Sequence, residues 1–114
     1  PKTMTKGKRK ATIKLAMADG TTKEFTGYLL RRVDWWERPI FVYEIDEHWK
    51  VTDAITGYRM SPKRPYHSIK AALNQTKNRM KCYLKTSLYK TSLYGRFESA
   101  PVLNSFSEAL GWYY

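Results

Sequence analysis

Alternating apolar and polar residues predict that the first half of the chain forms β-structure. From Ala11 onwards, apolar side chains recur at every second position, which is the period of a half-buried strand. Asp19 and Gly20 follow this run and are typical residues of a tight hairpin turn. A return strand is then expected over about residues 22–33, so the pattern predicts a first β-hairpin.

Shorter apolar runs predict a second hairpin. Residues 40–45 read as a third strand and residues 49–52 as a fourth, with the turn near Glu47 and His48. Thr56 and Gly57 are expected to turn the chain again, into a short fifth strand over residues 58–60. Consecutive short strands joined by turns predict an antiparallel meander of four to five strands.

The spacing of apolar residues changes after the proline-containing loop around Pro62 and Pro65. His67 or Ser68 is suited to cap a helix, because such side chains accept hydrogen bonds from free backbone amides. The apolar positions that follow recur every three or four residues, at Ile69, Leu73, Thr76, Met80, Leu84 and Leu88. This spacing predicts a long amphipathic helix of about 20 residues, roughly 30 Å in length.

These elements define the expected fold class, which is α+β. A small antiparallel β-meander is followed by one long basic amphipathic helix and by a short C-terminal helix that starts near Ser99 and ends at Gly111. Residues 1–10 have no apolar period and five basic side chains, and they are expected to form a flexible basic arm. Residues 11–114 are expected to form a single domain.

The amino-acid composition indicates the cellular compartment of this domain and excludes several kinds of site. The 114 residues are 42% hydrophobic and include a single cysteine, Cys82, which excludes an intramolecular disulfide and a cysteine-based zinc site. That cysteine usage is typical of a reducing compartment. No apolar run approaches the length of a membrane span. A cytoplasmic protein without a membrane partner, a metal or another cofactor is therefore expected.

The distribution of charge is the most informative feature for function. Residues 54–97 contain no Asp or Glu but ten Lys or Arg, whereas eight of the ten acidic residues fall in residues 19–53. The formal charge of the whole chain is +11. Protein surfaces normally mix the two signs, because like charges repel and destabilise the compact state. A long block of one sign indicates a polyanionic partner, and nucleic acid is the commonest one.

The predicted helix carries part of this charge in one stripe. Its basic and amide residues are spaced by three or four positions and so share the face opposite the apolar residues. Lysines favour phosphates, while asparagine and arginine side chains can reach base edges. Together with the preceding loop and the arm, the predicted nucleic-acid-binding residues are Lys8, Arg9, Lys10, Lys63, Arg64, Lys70, Asn74, Lys77, Asn78, Arg79, Lys81 and Lys85. DNA is favoured over RNA, and a solvated basic helix face is the alternative.

Aromatic residues support a second interpretation, in which the chain binds a protein. A small basic protein with exposed aromatic side chains fits an inhibitor or adaptor from a phage or mobile element that binds an acidic host protein. Its anchors would be Trp35 and Trp36, between the two hairpins, and the C-terminal Trp112, Tyr113 and Tyr114. At least one of the adjacent tryptophans is expected to face the core instead.

Candidate catalytic residues are few, and no catalytic residue is predicted. Glu44, Asp46 and His48 would share one face of an extended strand, which suggests a metal-dependent nuclease as a less favoured function. His67, beside Lys63 and Arg64, suggests a metal-free ribonuclease, although a helix-capping role is the favoured interpretation of this histidine. No phosphate-binding loop, catalytic triad or cofactor motif is present.

Overall fold

The protein folds as a four-stranded antiparallel sheet with one long helix. A computed structural model describes residues 8–30, 33, 35–36, 38–84 and 101–104. The strands pair in sequence order, β1-β2-β3-β4, as the α+β meander prediction requires. Their bounds, and those of the helix, are β1 Lys8–Ala16, β2 Thr22–Leu30, β3 Ile40–Ile45, β4 His48–Asp53 and α1 Ile69–Leu84.

The first hairpin is longer than the sequence predicted at its N-terminal end. β1 begins at Lys8, where it pairs with Leu30 of β2, so the last three residues of the expected arm are strand residues. The alternation that marks the strand starts only at Ala11, because the residues before it are all basic. Cross-strand pairing with the apolar end of β2 extends the strand beyond that pattern. Residues 1–7 lie outside the described residues.

The turn of this hairpin forms at the predicted position. Met17 and Thr21 close it, since the Met17 amide donates to the Thr21 carbonyl at 2.8 Å. Gly20 has a φ of 86°, a conformation that L-residues with a side chain rarely adopt. The Asp19 carboxylate accepts hydrogen bonds from the amide and the hydroxyl of Thr21, at 3.0 and 2.6 Å. Asp19 therefore fixes the loop at its exposed tip.

The second hairpin turns one residue earlier than predicted. Ile45 pairs with His48, and the two residues between them, Asp46 and Glu47, have φ angles of 52° and 64°. Positive φ at both central positions is the signature of a type I′ turn, which matches the right-handed twist of the strands. The turn predicted near Glu47 and His48 therefore forms one residue earlier. Asp46 is a usual residue for the first position of such a turn, but Glu47 stands where glycine is usual, so the sequence signal was incomplete.

Apolar residues form a cluster on each face of the sheet. The helix-side core lies between the sheet and α1, which packs on β4. Its buried members are Trp35, Trp36, Ile40, Val42, Val51, Met60, Tyr66, Ala72 and Met80. The opposite core contains Ile13, Leu15, Leu29, Phe41, Tyr43, Ala54 and Ile55. Burial of each large side chain contributes about 1.5–3 kcal/mol, so both faces stabilise the fold.

The predicted fifth strand is reduced to a single bridge. Arg59 pairs with Thr52 of β4, and no further ladder forms among the described residues of this segment. The amides of Met60 and Ser61 both donate to the Val51 carbonyl, which bends the chain away from a regular ladder. Pro62 then has no amide proton with which to continue one. The segment covers the outer edge of β4 without extending the sheet.

The chain after β4 also reaches the opposite edge of the sheet. The Ala16 amide of β1 donates to the Gly57 carbonyl at 3.1 Å. Gly57 has a φ of 74°, and a Cβ at this position would lie 2.8 Å from the Leu15 Cα, so only glycine fits. The sheet is thus curved enough for one short segment to contact both of its edge strands.

Asn104 completes this closure from a distant part of the sequence. Its side chain accepts a hydrogen bond from the Lys14 amide at 3.1 Å and donates to the Lys14 carbonyl at 2.9 Å. The same amide group donates to the Ala54 carbonyl at 2.8 Å. Asn104 therefore satisfies the outward-facing backbone of an edge strand, which is a recognised way to protect such an edge.

The predicted short C-terminal helix is not present over the C-terminal residues that the structure describes. Residues 101–104 were expected to begin a short helix, but they are not helical; the amides of Leu103 and Asn104 both donate to the Ile55 carbonyl. Pro101 cannot donate a helical hydrogen bond, and the side chain of Asn104 is engaged with β1. The remainder of the predicted short helix, and the end of the long helix beyond Leu84, lie outside the described residues.

Candidate nucleic-acid interface

The helix that carries the predicted basic stripe has a defined start. Ser68 caps it, since the Ser68 hydroxyl accepts a hydrogen bond from the Ala71 amide at 3.1 Å. The Ala72 amide donates to the Ser68 carbonyl, which closes the first helical turn. Of the two predicted capping residues, the structure therefore selects Ser68. The capped end fixes the orientation of every side chain along α1.

The buried face of α1 is the one that the apolar spacing predicted. Ala72, Thr76 and Met80 are buried, while Ile69 and Leu73 are partly buried against the helix-side core. The Thr76 hydroxyl is satisfied internally, because it donates to the Ala72 carbonyl at 2.7 Å. This packing leaves the opposite side of the helix facing solvent.

The solvent-facing side carries the predicted stripe. Lys70, Asn74, Asn78 and Lys81 are exposed, and Lys77 is half-buried at the border of the stripe. Their spacing places them within about a third of the helix circumference at 3.6 residues per turn. Lys85 lies outside the described residues.

The loop before the helix adds two further cations. Lys63 and Arg64 are exposed, although the loop itself is firmly attached to the sheet. The buried Tyr66 anchors one side, since its carbonyl accepts a hydrogen bond from the Trp49 amide at 2.7 Å. Ser61 anchors the other side, where its hydroxyl accepts from the Val51 amide at 3.1 Å. The two cations are therefore held on a fixed loop next to the helix.

These cations have no acidic partners in the part of the chain that the structure describes. None of Lys63, Arg64, Lys70, Lys77 and Lys81 makes an ion pair there. The first turn of α1 contains no acidic residue, and the positive end of the helix dipole adds to the same field. We call the group Lys63, Arg64, Lys70, Asn74, Lys77, Asn78 and Lys81 the basic helix surface.

The predicted residues of the arm lie on β1. Arg9 and Lys10 are exposed and adjacent, so their side chains point to opposite faces of the sheet. Lys10 pairs with Tyr28, a residue that packs against the helix-side core, whereas Arg9 pairs with Leu29 of the opposite core. Lys10 therefore shares the helix-bearing face, and Arg9 does not. Lys8 is the first residue of the strand.

Arg79 occupies a different surface from the one predicted. It is 200° of helical rotation from Lys77 by the roughly 100° per residue of an α-helix, on the far side of the buried stripe. Its guanidinium lies 3.5 Å from the Met60 carbonyl and lines a cavity with Arg59 and Met80. The sequence spacing placed Arg79 at the edge of the stripe. Two residues after Lys77, however, the helix has rotated past the exposed face.

The predicted protein-binding tryptophans are buried. Trp35 is 9% exposed and Trp36 is 5% exposed, and both belong to the helix-side core. The indole nitrogen of Trp36 donates to the Asp53 carboxylate at 3.0 Å, which satisfies its polar group inside the protein. These two side chains offer little surface to a partner. Trp112, Tyr113 and Tyr114 lie outside the described residues.

The candidate acidic cluster is dispersed by the second hairpin. Asp46 lies in the type I′ turn and not in an extended strand. It therefore does not share one strand face with Glu44 and His48. Asp53 is buried and accepts hydrogen bonds from Trp36, Arg38 and Thr56. Within the described residues, no three His, Cys, Asp or Glu side chains are grouped so that they could hold a metal ion.

The two histidines of the chain meet near the start of the helix. The rings of His48 and His67 lie edge to face with centroids 5.1 Å apart, beside the bridge between Trp49 and Tyr66. His67 therefore packs against β4, and Lys63 and Arg64 share its loop. No sequence spacing predicts this contact, because 19 positions separate the two rings.

Three functional or structural residues had no sequence signal that identified their role. Asp53 and Asn104 are polar residues that the fold buries as hydrogen-bonding centres. Arg59 belongs to the acid-free block, but only the structure shows that it lines the same cavity as Arg79. Burial raises the pKa of the Tyr43 hydroxyl, and the positive charge of Arg59 opposes that shift.

Comparisons with known proteins give no assignment. No protein-family model matches the chain, and neither a curated protein nor a solved structure matches it. In the described part of the chain, no helix has both the length and the apolar character needed to cross a membrane.

Proposed function

We propose that this protein is a non-enzymatic nucleic-acid-binding protein that contacts phosphates through the basic helix surface. The observation that carries the proposal is a set of five cations on a rigid helix and its attached loop, none of which makes an ion pair in the described structure. Unpaired cations on one face attract a polyanion and release its counterions on binding.

The distribution of side-chain chemistry supports this function. The lysines of the stripe suit phosphate oxygens. The side-chain amides of Asn74 and Asn78 each offer one donor and one acceptor, which complement the N7 acceptor and N6 donor of adenine. Both asparagines are exposed and sit among the lysines on the helix. Phosphate contacts would position the protein, and the asparagines would supply sequence preference.

Helix dimensions favour DNA over RNA as the partner. α1 contains 16 residues, about 24 Å of helix at 1.5 Å per residue. The major groove of B-form DNA is about 12 Å wide and admits an α-helix, whereas the major groove of an RNA duplex is too narrow and deep. Lys10, which shares the helix-bearing face of the sheet, would add a phosphate contact from the start of β1.

Fluorescence anisotropy with labelled duplex DNA, single-stranded DNA and duplex RNA tests the proposal. Duplex DNA is expected to bind most tightly, and K77E/K81E is expected to reduce its affinity by at least 100-fold at moderate salt. The matched control K14E/K23E changes the net charge equally at two exposed positions of the first hairpin. Circular dichroism checks that both variants remain folded.

The outcomes separate nucleic-acid binding from the alternative of a protein partner. Equal losses in K77E/K81E and K14E/K23E would show that only net charge matters and would overturn the assignment to the basic helix surface. Absence of binding to every polymer at physiological salt would overturn nucleic-acid binding itself. Capture of an acidic protein by the unaltered chain would then favour the host-protein inhibitor or adaptor.

A further inference from the structure

The two histidines of the chain lie opposite each other across an isolated bridge beside β4. Trp49 and Tyr66 form this antiparallel bridge, in which the Trp49 amide donates to the Tyr66 carbonyl at 2.7 Å. His48 precedes Trp49 and His67 follows Tyr66, so the two histidines occupy the next pair of opposed positions. Opposed residues of antiparallel segments have Cβ atoms about 4.5–5.5 Å apart. The two imidazole rings therefore extend from neighbouring backbone positions.

The spacing of these rings matches that of two histidines bound to one metal ion. The ring centroids of His48 and His67 lie 5.1 Å apart, and the ring planes are inclined by 74°. An imidazole nitrogen binds zinc at about 2.0–2.1 Å, so two imidazoles on one tetrahedral ion have centroids about 5 Å apart. The χ2 angle of histidine is broadly distributed, and rotation about it directs a nitrogen of each ring to a shared ion. The backbone need not move.

Both histidines belong to parts of the fold whose backbone is fixed. His48 is the first residue of β4 and pairs with Ile45 across the type I′ turn. His67 lies between the buried Tyr66 and Ser68, which caps α1. His67 is exposed and His48 is half-buried, so an ion can reach the pair from solvent. Two ligands held in place before binding lose little conformational entropy when an ion joins them.

We propose that His48 and His67 together bind one divalent transition-metal ion, each through one ring nitrogen. Neutral imidazole is a usual ligand of zinc, nickel and copper, whereas magnesium and calcium prefer oxygen ligands. Water would fill the remaining coordination positions of the ion. The bound ion would connect β4 to the loop before α1, and this site does not depend on the proposed nucleic-acid binding.

NMR titration of the full chain with zinc chloride and nickel chloride tests this proposal, with magnesium chloride as the oxygen-preferring comparison. The chain contains two histidines, so two sets of imidazole resonances report on the site directly. Zn²⁺ is expected to shift both sets along one saturation curve, and Mg²⁺ is expected to shift neither. Ni²⁺ is paramagnetic and should broaden the amide signals of residues 47–49 and 66–68 most strongly. Zn²⁺ should also raise the midpoint of thermal unfolding, because an ion bound by the folded state stabilises it.

Variants locate the ion. H48Q and H67Q are each expected to weaken Zn²⁺ binding by at least about tenfold, since even the loss of a residue that only supports a ligand typically costs about 10- to 100-fold in metal affinity. C82S removes the single thiol of the chain and is expected to leave Zn²⁺ affinity unchanged. Circular dichroism checks the folding of each variant. His67 is exposed, so H67Q keeps the test decisive if H48Q does not fold.

Three results would overturn the proposal. Absence of a saturable shift of the imidazole resonances at millimolar Zn²⁺ would show that the pair binds no ion. Equal Zn²⁺ affinity in H67Q and the unaltered chain would assign the binding to other residues. A loss in C82S as large as that in H67Q would make the thiol a ligand and would contradict a site formed by the two histidines.

Discussion

Arg38 donates two hydrogen bonds to the buried carboxylate of Asp53, at 3.1 Å from Nε and 2.6 Å from a terminal nitrogen. The same carboxylate accepts from the Trp36 indole and from the amide and hydroxyl of Thr56. Asp53 therefore joins the segment before β3 to the end of β4 and to the loop that follows. Burial of a carboxylate is tolerated here because its oxygens are fully used.

Replacement of Asp53 by asparagine is expected to destabilise the fold by about 3 kcal/mol, because it leaves the Arg38 guanidinium partly buried without its counter-charge. Urea denaturation measures the free energy of unfolding. E24Q removes a carboxylate from an exposed strand position and is expected to change that free energy by less than about 0.5 kcal/mol. Equal effects of D53N and E24Q would contradict a structural role for the buried carboxylate.

Removal of the Asn104 side chain is expected to open the edge of β1. N104A loses three hydrogen bonds to the backbone of Lys14 and Ala54, and the expected loss of stability is about 2 kcal/mol. Native-state hydrogen exchange should show faster exchange of the Lys14 amide. The matched variant N78A, on the exposed face of α1, should leave that amide unchanged; unaltered exchange in N104A would show that the Lys14 contact is dispensable.

Glycine at position 47 is expected to stabilise the second hairpin. Glu47 has a φ of 64°, a left-handed conformation that costs an L-residue with a side chain about 1 kcal/mol. E47G should therefore raise the free energy of unfolding by up to about 1 kcal/mol. E47A removes the same charge but keeps a Cβ, so it should give no such gain. A gain of the same size in E47A would assign the effect to charge and not to backbone conformation.

The tip of the first hairpin is expected to respond to acid. The Thr21 hydroxyl, and then its amide, donate to the Asp19 carboxylate and lower its pKa below the usual 3.8. A carboxyl whose folded-state pKa is lowered contributes stability above pH 3.8 and loses that contribution as the pH falls through the lowered value. NMR titration should return the Asp19 pKa towards 3.8 in T21V and leave it unchanged in T22V. A pKa unaffected by T21V would refute the hydroxyl contact.

The strands and the helix could be predicted from local patterns because their buried faces repeat regularly. A short apolar run identified β3 with its observed bounds, and the three-four spacing identified Thr76 and Met80 on the buried face of α1. Ser68 followed from capping chemistry. Where pairing depends on a distant strand, the local pattern is insufficient, and the basic start of β1 at Lys8 was assigned to the arm for that reason.

Tertiary roles of polar residues were harder to predict. Nothing in the local sequence distinguishes the buried Asp53 from the exposed Asp46, or marks Asn104 as the partner of Lys14. Arg79 shows the same limit for the candidate site. Its separation from the stripe follows from helical rotation, but its place in the cavity that Arg59 also lines depends on how distant parts of the chain meet at α1. The lysines of the candidate site could be identified because the acid-free block is visible in the sequence itself.

The salt dependence of DNA affinity tests the central claim most directly. Each phosphate neutralised by a cation contributes about −0.9 to the slope of log Kobs against log salt. With five cations on the basic helix surface, the unaltered protein is expected to give a slope of about −4 to −5, and K70Q/K77Q/K81Q is expected to reduce its magnitude by about 2 to 3. Identical slopes for the two proteins would contradict the claim that these lysines contact DNA.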